Sequence, residues 1–345
     1  MERRKCPVFV IGCHRSGTNL LYDTLMSAGG FAIYRGYLPV YKLLIPRVGR
    51  LDKLENRKKL LQIWLRSKGF RRSGLDAGEL SVRVERECRN GGDFIRITMD
   101  EIARVQGAFR WAVYDPDNVH HVPKIKAEIP EALFVHLVRD GRDIALSLRK
   151  MGGFRPLPWD RASRSLQSTA IYWEWIVRTG RRYGRVISSD YIEVHYEELV
   201  TQPRAVLKQI GQFLDHDLDY ENIRAANLGR LRESNSSFRG EEPELRQQNP
   251  VGRWKKKLSP EEVASLEAVV GTCLEDLGYE LVTTAENRKV GIEEIWMRMV
   301  YLIYLNSKLW LKTRTQAGRL ASLAELELTD ALPQAASVHR EISMP

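Results

Sequence analysis

Runs of consecutive apolar residues alternate along the chain with longer segments in which apolar residues recur at helical spacing. Residues 8–11 and 133–138 are two such runs, rich in β-branched and aromatic side chains, with His136 the one polar residue in the second. Runs of this kind predict short strands that are buried on both faces. Residues 192–196, in which apolar and polar residues alternate, predict another strand. A polar turn and a helical pattern follow each run, which is typical of a parallel sheet. The pattern therefore predicts an α/β fold, a three-layer sandwich around a central parallel sheet.

The helical patterns divide the chain into a main domain and an extension. They predict helices over residues 51–66, 76–106, 165–182 and 203–214. Residues 40–110 would form a mainly helical layer over the ligand face of a main domain at 1–287. Residues 288–345 would form a helical extension with a weakly ordered tail. Its segment 288–320 is apolar and aromatic and is expected to make a helix–helix contact with the domain or a partner, with peripheral membrane contact as the alternative.

The first apolar run leads into a loop that is suited to binding an anion. Gly12 ends the run, and helical spacing resumes at Asn19. Backbone N–H groups of the intervening loop would converge at the positive end of a helix dipole. Arg15 adds a fixed charge, and further donors come from Ser16, Thr18 and Asn19. An ordinary strand-to-helix turn with a capping hydroxyl is the alternative.

The glycines of this loop have the spacing of a nucleotide-triphosphate loop. Gly12 and Gly17 match the pattern G-x-x-x-x-G-K-[ST], but Thr18 and Asn19 follow in place of its last two residues. The cation lies inside the loop, as Arg15. This favours a phosphate-like group other than ATP with magnesium, and a P-loop kinase or NTPase stays open as an alternative.

A second basic site follows the run at residues 133–138. Arg139 would lie at the carboxyl end of that strand, where open parallel sheets bind ligands. Ser147 lies about two helical turns further on, and a guanidinium with a hydroxyl can hold a phosphate. The alternative is an ordinary ion pair between Arg139 and Asp140 or Asp143.

A third basic segment, residues 229–257, lacks periodicity and ends in Arg253, Trp254 and Lys255. Such a loop can close over an anionic ligand and exclude water, or it can be a solvated run of charge. Ser259 and Pro260 then predict the start of a helix, because serine caps helices and proline suits the first turn.

Composition narrows the class of protein. The 345 residues carry a net charge of +10, which suits anionic ligands. Basic residues are spread over many segments, so a nucleic-acid-binding protein is the weakest hypothesis and no nucleic-acid partner is expected. The four cysteines form no C-x-x-C pair, which disfavours disulfides and zinc and indicates a reducing cytoplasm. We expect no signal peptide and no membrane-spanning segment.

Four short motifs, taken in order, resemble those of sulfotransferases that use 3′-phosphoadenosine 5′-phosphosulfate (PAPS). They are residues 13–19 (CHRSGTN), 139–147 (RDGRDIALS), 196–199 (YEEL) and 252–255 (GRWK). In that family the first is the P-loop-like phosphosulfate loop and the second binds the 3′-phosphate. The third lies near the adenine, and the fourth closes on the cofactor. The resemblance implies cofactor contacts from Arg15, Ser16, Gly17, Thr18, Asn19, Arg139, Ser147, Tyr196, Arg253, Trp254 and Lys255.

The same resemblance implies in-line transfer of a sulfonate group to a hydroxyl or amine, without a metal. Arg15 would stabilise charge on the leaving phosphate oxygen. The acceptor could be a small molecule, a carbohydrate or a lipid. The family's catalytic Glu and Lys are replaced by Tyr37 and Tyr114. A catalytically impaired nucleotide-binding protein on the same fold is therefore an alternative.

Asp115 is the predicted general base, with His120 and His121 next. Each has an ordinary structural alternative: Asp115 precedes a proline and suits a turn, and paired histidines ahead of a helix are often structural.

Overall fold

The computed structural model describes residues 2–151, 165–226, 250–284 and 291–329. The chain divides into two compact units. The first comprises Met1–Gly29, Ala112–Pro123 and Glu131–Trp310, and the second comprises Gly30–Trp111, Lys124–Pro130 and Leu311–Pro345. The predicted boundary between residues 287 and 288 stays a prediction.

Five parallel strands form the sheet. They are β1 (Val8–Gly12), β2 (Phe31–Ala32), β3 (Arg110–Val113), β4 (Leu133–Val138) and β5 (Tyr191–His195). Their order is β2-β3-β1-β4-β5. β1 pairs with β4 in the register Val10↔Val135, and β4 pairs with β5 in the register Val135↔Ile192. The predicted parallel α/β fold is confirmed.

Helices fill most of the remaining described chain. In chain order they are α1 (Thr18–Ser27), α2 (Ile45–Val48), α3 (Leu54–Trp64), α4 (Lys68–Arg71), α5 (Ala77–Glu87), α6 (Gly91–Gln106), α7 (Val122–Glu128), α8 (Gly141–Lys150), α9 (Leu166–Val186), α10 (Tyr196–Thr201), α11 (Pro203–Leu214), α12 (Tyr220–Ala226), α13 (Trp254–Lys257), α14 (Pro260–Glu275) and α15 (Ile292–Arg314). The predicted start of α14 is confirmed, because Ser259 and Glu262 form a reciprocal capping box.

The first unit has its core at the centre of the sheet. Every residue of β1 and β4 is buried, as their apolar runs predict, and this includes the single polar residue, His136 of β4. The rings of Phe9 and Phe134 stack with their centroids 5.4 Å apart. Trp173 of α9 is fully buried and donates from Nε1 to the carbonyl of Arg139, 3.0 Å away. This bond fixes the backbone where β4 ends.

The second unit is mainly helical, and the predicted position of residues 40–110 over the ligand face stays a prediction. It contains α2 to α6, β2 and the beginning of β3. The strand β3 is a departure from the predicted pattern, since it begins with a buried arginine. The Arg110 guanidinium lies 5.3 Å from the centre of the Phe31 ring, which provides a favourable environment for the charge.

Parts of three predictions lie outside the described residues. They concern 152–160 of the loop at 150–160, which is expected to shape the acceptor pocket together with the helical layer at 40–110, then 229–249 of the basic loop, and 330–345 of the tail. Within the described ranges, no helix combines the length and apolarity needed to cross a bilayer.

Truncating a central core residue should destabilise the protein far more than the same change at the surface. Val135 is 0% exposed, whereas Val186 is 81% exposed. Val135→Ala should lower the free energy of unfolding by about 2 kcal/mol through lost burial and a cavity. Val186→Ala should change it by less than about 0.5 kcal/mol. Urea unfolding followed by circular dichroism measures both; equal effects would contradict the central position of β4.

Candidate active site

The loop after β1 is shaped by a backbone contact that requires glycine. A Cβ atom on Gly12 would lie 2.5 Å from the carbonyl oxygen of Leu137 in β4. Glycine therefore lets the two strand ends come together, and the chain turns there without a clash. Ser16 then closes the loop, because its hydroxyl donates to the carbonyl of Cys13 at 2.7 Å. The Ser16 hydroxyl, one of the donors predicted to bind the anion, thus stabilises the loop itself.

Two further positions of the loop have left-handed backbone conformations. Arg15 has φ 74° and Gly17 has φ 99°. A Cβ atom on Gly17 would lie 2.5 Å from the ring of Tyr196. The loop therefore packs directly against the start of α10, and α1 begins at Thr18 with its N-terminus at the loop. Free N–H groups at such a helix start attract anions.

The structure brings the two predicted anion sites together. Arg15 donates from Nε to the hydroxyl of Ser147 in α8, at 3.1 Å. Arg139 donates from Nη1 to the backbone carbonyl of Arg15, at 3.3 Å. Burial and the nearby charge of Arg139 lower the pKa of Arg15. The two neighbouring guanidinium groups create a strongly positive potential, and a bound anion would reduce the repulsion between them.

Arg139 is buried among groups from several segments. Its Nη2 donates to the carbonyl of Pro250 at 2.6 Å and lies 3.5 Å from Asp143 Oδ2. Its guanidinium lies 4.3 Å from the centre of the Tyr196 ring, a cation–π contact. Its Nε is buried without a hydrogen-bond partner among the described residues. A buried donor of this kind is costly unless a ligand accepts from it.

Asp143 holds the end of the basic loop against α8. Its Oδ2 accepts from the backbone N–H of Gly252 at 2.9 Å, and its Oδ1 accepts from that of Trp254 at 3.0 Å. Burial raises the pKa of Asp143, and the charge of Arg139 opposes this shift. Asp143 therefore links Arg139 and the loop through one carboxylate.

Trp254 is anchored by two further groups of α8 and its N-cap. Its Nε1 donates to Asp140 Oδ2 at 3.1 Å, and the Arg142 guanidinium lies 3.9 Å from its ring centre. Arg142 also pairs with the buried carboxylate of Glu267 at 2.6 Å. The structure thus places Trp254 as a buried anchor of the loop, between the site and the core.

Glu197, at the start of α10, also connects two segments through one carboxylate. Its Oε1 accepts from the backbone N–H of Asp140 at 2.9 Å, and its Oε2 accepts from the Tyr279 hydroxyl at 3.0 Å. Burial raises the pKa of Glu197. The bond to Asp140 ties α10, which begins with Tyr196, to the end of β4.

The remaining predicted cofactor contacts occupy different environments. Thr18 is buried at the start of α1, and Asn19 is exposed beside it. Arg253 is buried. Burial raises the pKa of Tyr196, and the charges of Arg139 and Arg253 oppose this increase. Lys255 is exposed, with its Nζ 5.6 Å from the Trp254 ring centre. The roles predicted for these residues stay predictions.

Asp115 is the N-cap of a short 3-10 helix, Pro116–His121, and His120 lies in its last turn. Asp115 Oδ1 accepts from the backbone N–H of Asp117 at 3.1 Å, so the carboxylate caps this turn. His120 stacks on Trp175, with ring centroids 4.0 Å apart, and burial lowers its pKa to about 4. Both ring nitrogens of His120 lack a hydrogen-bond partner among the described residues. His120 is thus neutral at physiological pH.

Tyrosines occupy the two positions at which the resemblance implies Glu and Lys. Tyr114 packs on Tyr22 with ring centroids 4.2 Å apart. In the other unit, Tyr37 donates from its hydroxyl to Glu325 at 3.0 Å. No group of acidic, His or Cys residues suited to a metal ion occurs in the described part of the chain.

Sequence reasoning missed the carboxylates that organise the site. Asp143 and Glu197 are acids in charged, polar segments, where a solvated surface position is the usual expectation. The available signal was their position in the first turn of helices that follow strands, since strand ends in a parallel sheet converge.

Comparisons with known proteins agree with the motif resemblance. A family model described as "Sulfotransferase family" matches residues 7–220. Sulfotransferase 1B1 of Mus musculus is 28% identical over 95 residues, which are 26% of this chain and 32% of that protein. The chain thus spans about a third of the length of this curated relative.

Two solved structures are similar over most of the chain. The sulfotransferase domain from the curacin biosynthetic pathway has a TM-score of 0.50 at 16% identity, covering 79% of this chain and 98% of that one. The sulfotransferase domain of the Synechococcus PCC 7002 olefin synthase has a TM-score of 0.48 at 18% identity, covering 80% and 95%.

The matched region contains the loop after β1, the end of β4 and the start of α10, which form the cluster around Arg139. With a family model matching more than half of its residues, the chain belongs to the sulfotransferase family.

Proposed function

We propose that this protein transfers a sulfonate group from PAPS to a hydroxyl or amine of a small molecule, a carbohydrate or a lipid. The family supports the reaction class. The observation that carries the proposal is the buried contact between Arg15, Ser147 and Arg139, in which Arg139 Nε has no acceptor among the described residues. The proposed compartment is the reducing cytoplasm, which suits the four cysteines, since all are buried free thiols.

The residues of the site fit a donor with phosphate groups at two positions. Ser147 and Arg139 are proposed to hold the 3′-phosphate, because a hydroxyl and a guanidinium both donate to phosphate oxygens. Arg15 and the N–H groups at the start of α1 are proposed to hold the 5′-phosphosulfate. When bound, PAPS supplies an activated sulfonate. The positive groups of the loop then stabilise the charge that develops on the leaving phosphate oxygen.

Removing either arginine should abolish most of the affinity for adenosine 3′,5′-diphosphate, the product nucleotide. Each guanidinium contributes charge-assisted bonds, so Arg139→Ala and Arg15→Ala should each weaken binding by about 100-fold or more. Isothermal titration calorimetry measures the dissociation constants. Arg185→Ala, at the exposed end of α9, is the matched control and should bind like the unmodified protein.

No binding by the folded, unmodified protein would overturn the proposed donor. Tight binding combined with no transfer to any acceptor would favour the catalytically impaired nucleotide-binding protein, which the tyrosines at positions 37 and 114 suggest.

We propose Asp115 as the general base, held in a fixed orientation by its cap on the 3-10 turn. Asp115→Asn keeps an oxygen for the cap but cannot take a proton, so kcat should fall by at least about 100-fold while KM for PAPS changes little. A full loss in His120→Gln with normal turnover in Asp115→Asn would reject Asp115. If His120 were the base, activity would fall only as the pH drops towards its pKa of about 4, because above it the ring is neutral.

The Asp143 carboxylate should control cofactor affinity through the basic loop. Asp143→Asn removes the charge beside Arg139 and one of the two acceptors used by the backbone at Gly252 and Trp254. KM for PAPS should rise about tenfold with kcat nearly unchanged.

The pH dependence of KM for PAPS distinguishes control of cofactor affinity by Asp143 from general destabilisation of the protein. Because burial raises the pKa of Asp143 above its ordinary value, lowering the pH should protonate the carboxylate and raise KM for PAPS in the unmodified protein. The asparagine variant should lack this dependence, and an unchanged dependence would show that another group causes it. Steady-state kinetics across pH measures both.

A further inference from the structure

The helix α15 is fixed to the first unit along one face only. Arg298 forms two hydrogen bonds to the buried carboxylate of Glu174 in α9, at 2.9 and 2.7 Å. Trp175 Nε1 donates to Asn306 Oδ1 at 3.1 Å. Tyr301 and Leu305 are the buried apolar residues of the helix. These contacts determine which side of α15 turns away from the unit.

The opposite side carries a stripe of large apolar residues that we call the α15 stripe. Its members are Ile292, Trp296, Met299, Ile303 and Trp310. Their exposed fractions are 81%, 59%, 47%, 60% and 58%, respectively. Their spacing alternates four and three residues, as in the seam of a coiled coil, when Asn306 is counted as the position between Ile303 and Trp310. Asn306 bonds to Trp175 and therefore marks the edge of the stripe that is next to the first unit. Such a contiguous stripe is typical of an interaction surface.

A groove runs along one flank of the α15 stripe. Its volume is about 650 Å³, and it lies between α15 and α14. Ala268, Val269 and Thr272 line it from α14, while Ile295 and Leu302 line it from α15. The groove extends the apolar surface sideways, so that side chains of a second helix can be accommodated there.

The other flank of the stripe carries charge of opposite sign at its two ends. Glu293 and Arg314 are exposed and lie 21 positions apart, which is three heptads. Residues at heptad intervals share one flank, and the positions between these two are the uncharged Val300 and Ser307. In an antiparallel pair of identical helices, this flank of one helix lies against the same flank of the other, running in the opposite direction. Glu293 of each copy then meets Arg314 of the other.

We propose that the α15 stripe is the interface of a homodimer, in which α15 packs antiparallel to α15 of a second copy. A two-fold axis near Ile303 places Trp296 of each copy beside Trp310 of the other. The two Glu293–Arg314 pairs make the surface self-complementary, as a two-fold interface requires. Antiparallel packing also places each helix N-terminus beside the C-terminus of its neighbour, which the helix dipoles favour.

The charge distribution favours a second copy over a membrane surface. A helix that lies in the headgroup layer carries basic residues along its polar side. In α15 the first turn is acidic, with Glu293 and Glu294, and Arg298 is paired with Glu174. The other basic residues, Lys308, Lys312 and Arg314, lie in the C-terminal half. A uniformly anionic surface would therefore repel one end of the helix, whereas an antiparallel copy complements both ends.

Sedimentation velocity on the full chain, from about 1 μM to about 100 μM, tests the proposal. The unmodified protein should sediment as a dimer at the upper concentrations. Ile303→Glu places two carboxylates together at the two-fold axis and should raise the dimer dissociation constant by at least about 100-fold. Val186→Glu adds the same charge at an exposed position of α9 and should leave the dimer intact. Thermal melting verifies that the variants are folded.

Charge exchange tests the antiparallel arrangement. Glu293→Arg alone and Arg314→Glu alone each create two like-charge pairs and should weaken the dimer by about tenfold. The double variant Glu293→Arg/Arg314→Glu restores opposite charges across the interface and should return the dissociation constant to within about threefold of the unmodified value.

Three outcomes would overturn the proposal. The first is a monomer at every concentration. The second is a dimer that Ile303→Glu does not affect. The third is a monomer that co-floats with vesicles of phosphatidylcholine and phosphatidylserine and loses this binding in Ile303→Glu, which would make the α15 stripe a membrane contact. Failure of the exchanged charges to restore the dimer would reject the antiparallel arrangement.

Discussion

The guanidinium of Arg139 is the point at which the separate parts of the site meet. It donates to the loop after β1 and to Pro250, pairs with Asp143 of α8, and stacks on Tyr196 of α10. Four segments that are far apart in the sequence therefore depend on one side chain. Its position is in turn set by the sheet, because it directly follows the fully buried strand β4 and its carbonyl is held by Trp173.

Burying this cation is favourable only if its hydrogen-bonding groups find acceptors. The Pro250 carbonyl accepts from Arg139 Nη2, and Asp143 pairs with the same nitrogen. In contrast, Arg139 Nε has no acceptor among the described residues. The nearby Arg15 adds a second positive charge, and burial and Arg139 lower its pKa. A buried, incompletely satisfied cation is costly, and a bound phosphate supplies both the missing acceptor and the missing charge. The two arginines therefore favour the binding of an anion at this place in the protein.

The strands and the anion-binding loop could be predicted because their signals are local. The runs at β1 and β4 are apolar except for His136, and Gly12 marks the turn between strand and helix. The strand β3 could not be predicted in this way, since Arg110 breaks its apolar pattern, and its burial beside the Phe31 ring depends on a contact that is distant in the sequence. The carboxylate of Asp143 was read as an ion-pair partner of Arg139. The pair is present, but the bonds to the loop backbone depend on a contact across more than a hundred residues, which no local pattern contains.

The central claim is that Arg139 and Ser147 bind the 3′-phosphate of the donor, while the adjoining loop around Arg15 binds its 5′-phosphosulfate. Its most direct test varies the ligand: calorimetry on the unmodified protein compares adenosine 3′,5′-diphosphate with adenosine 5′-monophosphate. Loss of the 3′-phosphate should weaken binding by at least about 100-fold, because the buried donors of this subsite then lack an acceptor. Equal affinity for the two nucleotides would contradict the claim and leave Arg139 with a purely structural role.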